Sequence, residues 1–129
     1  MAVAAAGALV AVLAWPRPAT TTVAMSGTAL APAASATAVL EPRSAGVAIT
    51  LQIKGLVAAP PGMYYAAWMQ GAAGTVPVGT FHWHKGGIPI ELWSGVTGEQ
   101  YPDLFVTLQR EGQPATPSAD VVLRGHLGG

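Results

Sequence analysis

Residues 79–87, GTFHWHKGG, hold the side chains best suited to chemistry, with His82 and His84 flanking Trp83. Two imidazoles two positions apart on a strand project the same way, which is half of a zinc or copper site. A complete centre needs a further ligand, and the candidates, His126 and Glu91, are remote in sequence. On a strand, Phe81 and Trp83 take one face and the histidines the other. The large aromatics belong in a core, so His82 and His84 are expected on the wet outer face, holding no metal.

Other chemistry finds less support. Glu91, Glu99 and Asp103 are too scattered to read as a glycosidase pair, whose carboxyl groups stand roughly 5 to 9 Å apart across a cleft. Ser44, Ser94 and Ser118 lie in turn contexts outside any G-x-S-x-G elbow. The glycine-rich spots GAAG, KGG and LGG lack the helix or the Gly-Lys-Ser/Thr ending of a phosphate cradle. With no cysteine, thiolate metal sites, disulfides and a thiol nucleophile are excluded. The chain reads as a non-enzyme without a cofactor. A binding surface is the remaining option, and Tyr64, Tyr65 and Trp93 are its candidates. Trp68 shares a face with Tyr64 and is expected to plug the core.

The totals agree with that reading. Net charge is zero and charged residues are 9% of the 129, which removes the basic footprint that nucleic acid requires. It equally disfavours a polybasic membrane binder. Sixteen glycines and eleven prolines, among many Val, Ala and Thr, point to short strands and many turns.

The elements that must position these residues follow from period-two alternation. In GVAITLQIKGL, Val47, Ile49, Leu51 and Ile53 make a dry face. SATAVLEPR supplies a partner strand, and AAPPG forces a turn. Strands are also expected at 63–70, 75–84, 88–93, 103–110 and 119–127, and Val23–Met25 with Ala29–Leu30 offer a short first one. Seven or eight strands with turn signals every 8–12 residues indicate an antiparallel, Ig-like β-sandwich.

Ahead of it, residues 1–15, MAVAAAGALVAVLAW, are uncharged and apolar, and PRP stops them. As a helix they rise about 22 Å, short of the ~30 Å hydrocarbon core of a bilayer. The segment fits the outer part of a membrane helix, a signal-peptide-like stretch without its positive start, or a buried helix. Its all-round apolarity favours export or anchoring. The expected division is a truncated transmembrane helix at 1–15, an extracytoplasmic stalk at 16–34 and the β-sandwich at 35–129.

GMYYAAWMQGAAGTVPVGTF resembles the pattern G-x-x-Y-x-x-W…V-x-x-G-x-F of the extracytoplasmic C-terminal domain of RskA-type anti-sigma factors, regulators of sigma-K. ITLQIKGLVAAPPG before it, and FVTLQREGQPATPSADVVLRGHL after it, resemble the flanking segments of that family. The likeness covers roughly residues 35–127. Gln109-Arg110-Glu111 stands where the family carries an acidic, Glu-Pro-like pair. The resemblance implies a membrane-anchored regulator of transcription, released when site-specific proteases cut the anchor. Its sigma factor would be held by a cytoplasmic domain that this chain does not contain. On that plan the β domain sits outside the cell membrane, shielding or exposing its own stalk, and carries no catalytic residue. The alternative is a secreted or membrane-tethered module that binds sugar or peptide.

Overall fold

The computed structural model describes residues 19–84 and 86–128. The apolar helix expected at 1–15 lies outside them. Among the described residues no helix is long and apolar enough to cross a membrane.

Among the described residues eight strands form, in chain order: β1 Thr21–Gly27, β2 Ser35–Arg43, β3 Gly46–Lys54, β4 Met63–Gly71, β5 Gly74–Phe81, β6 Ile90–Ser94, β7 Asp103–Arg110 and β8 Val121–His126. All pairings are antiparallel, in the order β5-β4-β7-β8-β1-β2-β3-β6. The expected two-sheet sandwich is therefore corrected to one continuous sheet, curled until β5 and β6 approach and nearly close a barrel. The physical difference lies in β1 and β8. Their pairing through Ser26↔Arg124 and Gly27↔Leu123 joins two halves that a sandwich would leave separate.

Alternation determines what enters the barrel. Val47, Ile49, Leu51 and Ile53 of β3 all face in and are buried, as are Tyr65, Ala67 and Met69 of β4 and Leu104 and Val106 of β7. Each fully buried Leu or Ile of this set stabilises the fold by about 1.5–3 kcal/mol relative to exposure. Pro77 in β5 lies opposite Trp68, and the register shifts there between Ala67 and Trp68. This bulge brings Gly79, at φ +148°, against β6, where a Cβ would stand 2.5 Å from Leu92 Cδ2. The β5/β6 seam is thus closed by a side chain seated on a bare backbone.

The sheet begins at Thr21, inside the segment expected to be stalk, and not at residue 35. Val23 and Met25 are core residues spaced at the strand period, in a stretch whose Ala, Thr and Ser content suggested a tether. β5 also ends at Phe81, so the histidines fall in the β5–β6 loop and not on the strand.

Candidate functional site

Chain direction sorts the loops to two ends of the barrel. The β1–β2, β3–β4, β5–β6 and β7–β8 connections share one end. Residue 19, the β2–β3 and β4–β5 hairpins, the β6–β7 loop and the end of β8 share the other.

His82 and His84 sit at the first end, both exposed, while Trp83 between them turns inward and is buried. A turn closed by Gly87 N–H donating to His84 O at 2.8 Å holds this arrangement. His126 ends β8 at the opposite end of the barrel, where its Nδ1 lies 2.7 Å from Asp103 Oδ1. Glu91 is exposed on β6, opposite Thr50. Among the described residues no group of three His, Cys, Asp or Glu side chains gathers as metal ligands do.

The three candidate binding aromatics do not form one surface. Tyr65 lies inside the barrel, donating its hydroxyl to Val57 O at 2.7 Å and stacking on Phe81 with ring centroids 5.7 Å apart. Burial pushes its phenol above the ordinary value of 10.0. Its place in a surface site is therefore corrected: the alternation of β4 turns it toward the interior. Tyr64 is half-buried on the outer face, and Trp93 is 47% exposed on β6, across the β5/β6 seam from β4.

Trp68 is buried, but not in the main core. With Ala66 and Phe105 it forms a second apolar cluster on the outside of β4 and β7, flanked by Tyr64 and Val121. Arg124 lies over the Phe105 ring, with Cζ 5.5 Å from its centroid. A polar chain runs from this cluster into the β7–β8 loop. Trp68 Nε1–H donates to Thr107 Oγ1 at 2.9 Å, and the Thr107 hydroxyl donates to Gln109 Oε1 at 2.6 Å. Gln109 Oε1 also accepts from Ser118 N–H at 2.8 Å, while Nε2 donates to Thr116 O at 2.9 Å. Gln109, 3% exposed, thus fastens residues 111–120 to the sheet. Sequence reasoning missed this role, although Phe105, Thr107 and Gln109 alternate with Leu104, Val106 and Leu108 and so mark a second buried face.

The larger concavity is an open mouth of about 920 Å³ at the end where residue 19 enters. Leu40, Val47 and Leu127 supply apolar wall, and Arg43 and Glu99 lie at the polar margin. Arg43 also pairs with Glu41 at 3.1 Å, an exposed contact of small energetic weight. The opposite end has a groove of about 640 Å³ with Leu56, Val57 and Trp83 in its lining. Neither concavity gathers the convergent acids, bases or nucleophiles of a catalytic centre. The mouth is defined instead by how the chain enters: Ala19 and Thr21 form one side of it, Leu127 and Gly128 another.

Comparison with known families gives a match to the model for the C-terminal region of anti-sigma-K factor rskA, covering residues 1–121. No curated protein and no solved structure matches the chain.

Proposed function

The chain belongs to the anti-sigma-K factor family through its rskA C-terminal region, and from that premise we propose that it is the extracytoplasmic, membrane-tethered part of a regulator of sigma-factor-dependent transcription. The observation that carries this reading is the extent of the match, which runs from the apolar segment at residues 1–15 into β8. A family unit that includes both parts is consistent with an anchor followed by a folded outer domain.

The barrel suits a regulatory task better than a catalytic one. Sigma-factor binding falls to a cytoplasmic region, and the barrel controls whether proteases reach the anchor side of the chain. A ligand or partner changes that access only through its differential affinity for the closed and open forms. Buried side-chain polar atoms among the described residues all have partners, which supports a single well-defined docked form.

The test is topology in cells. The parent reading frame, expressed with a tag after residue 129, should stay with the membrane pellet after alkaline washing. In intact spheroplasts the tag should be digested by added protease. Release of the chain into the soluble fraction, or a tag protected until lysis, overturns the membrane reading.

A further inference from the structure

The reading above places regulated cleavage on the anchor side of the barrel, and the structure narrows where it falls. Between the last apolar residue, Trp15, and the first strand residue, Thr21, the sequence has only PRPAT. Fully extended, the six steps from Trp15 to Thr21 span at most about 22 Å. A globular protease is wider than this, since even a 100-residue domain has a radius of gyration of about 13 Å. The next residues, 21–27, are a strand inside the sheet, where the backbone groups a protease must engage are shared with β2 along six register pairs from Thr21↔Leu40 to Ser26↔Ser35.

The other side of β1 is held unevenly. Its far end is pinned to β8 through Ser26↔Arg124 and Gly27↔Leu123, through Thr28 N–H donating to Val122 O at 3.1 Å and through the Thr28 hydroxyl bonded to Val121 O. Its anchor-proximal end, Thr21 to Met25, has no register partner in β8. There the contact depends on Gly125. A Cβ on that residue would meet Ala24 O at 2.9 Å, Met25 Cγ at 2.9 Å and Val23 Cγ1 at 3.0 Å. Below this point the mouth opens, with Thr21 on its rim. At the end that the anchor would pull, the strand is thus held by β2 pairing alone, without the β8 register that secures its far end.

We propose that β1 itself is the regulated cleavage segment, hidden while docked between β2 and β8 and exposed when its Thr21 end peels into the mouth. This rests on the proteolytic reading above. The step is hydrolysis of one peptide bond between residues 21 and 27 by a partner protease. Water adds across the bond, leaving a new carboxylate on the anchor side and a new amine on the barrel side. When opening is fast relative to cutting, the cleavage rate follows the population of the open form.

The experiment uses the full chain in detergent micelles with thermolysin, and mass spectrometry to follow cleavage within residues 21–27. Gly125→Val wedges β1 from β8 and should raise that rate at least tenfold while bonds in β4 and β7 remain protected. Thr22→Cys with Val39→Cys places a disulfide across a β1–β2 register pair at the anchor-proximal end, in a chain that has no other cysteine. Its oxidised form should be cut at least tenfold more slowly than the same protein after reduction. Equal rates for the oxidised and reduced forms, or acceleration by Gly125→Val that is as large in β4 and β7 as in β1, overturn the proposal. The assay involves neither bilayer nor sigma factor. A lockable β1 in a chain that fails the topology test would sink the membrane reading and leave the gate standing.

Discussion

Replacing Gln109 with Leu tests whether the outer face of the barrel is organised as the hydrogen-bond chain implies. The side chain is 3% exposed, and three bonds end on it, from the Thr107 hydroxyl, the Ser118 amide and its own donation to Thr116 O. Leu keeps much of the volume and removes every polar partner. The Thr107 hydroxyl, fully buried, loses its acceptor, and such an orphan costs about 1–3 kcal/mol. Thr116 and Ser118 lie in the loop where water can reach them, so their loss adds less. A net destabilisation of about 2 kcal/mol is expected, and at about 3–6 °C per kcal/mol for a domain of this size the melting temperature should fall by about 6–12 °C. Thermal unfolding measures the total, and hydrogen exchange locates it. The Ser118 amide should lose local protection beyond the loss of about 2 kcal/mol that the amides of β2 and β3 share through global unfolding. Gln113→Leu, on the exposed part of the same loop, is the control and should shift melting by no more than about 2 °C. A Gln109→Leu protein that melts with the parent and keeps Ser118 protected would refute the view that this residue fastens the loop.

Other consequences are independent of that one. Gly79→Ala should destabilise the closing seam by about 1–3 kcal/mol, because the new Cβ meets Leu92 at 2.5 Å on a backbone at φ +148°. Adding Leu92→Ala should make the pair less destabilising than the sum of the two single changes in denaturant melts. Tyr65→Phe removes the bond to Val57 O and should cost about 1 kcal/mol near neutral pH. The folded Tyr65 phenol titrates above its ordinary value, so the unfolded chain loses its proton first. Stability is then full below about pH 10 and falls as pH rises beyond it, a fall that urea titrations should find reduced in Tyr65→Phe. The double variant His82→Ala, His84→Ala should melt with the parent in zinc and in chelator alike, to within about one degree. A zinc-dependent rise in the parent alone would show a bound metal.

Alternation carried most of the fold. The dry face of β3 and the strand limits of β4 and β7 were legible, because each follows from a period of two within one segment, whereas the inward turn of Trp83 belongs to a loop that alternation does not govern. Trp68 shows where that ends. Its parity with Tyr64 was readable, but both faces of β4 are buried, and only the position of β7 and its loop decides which face is the interior. β1 was half legible, since Val23 and Met25 offered the right spacing in a composition better suited to a tether. Closure of the sheet was not legible at all. It depends on pairing Gly27 with Leu123, a contact between opposite ends of the sequence that no local window contains. The mouth and the Gln109 network depend on the same distant pairings, so the sequence could name their residues without placing them together.

Because β1 lies beside β8, the barrel cannot be completed until β8 has formed. A chain emerging N-terminus first would carry β1 with β2 as its sole neighbour until β8 had followed. Contacts of such long sequence separation form late and slowly. A copy lacking β8 would consequently keep β1 paired to β2 on one edge and leave its other edge open.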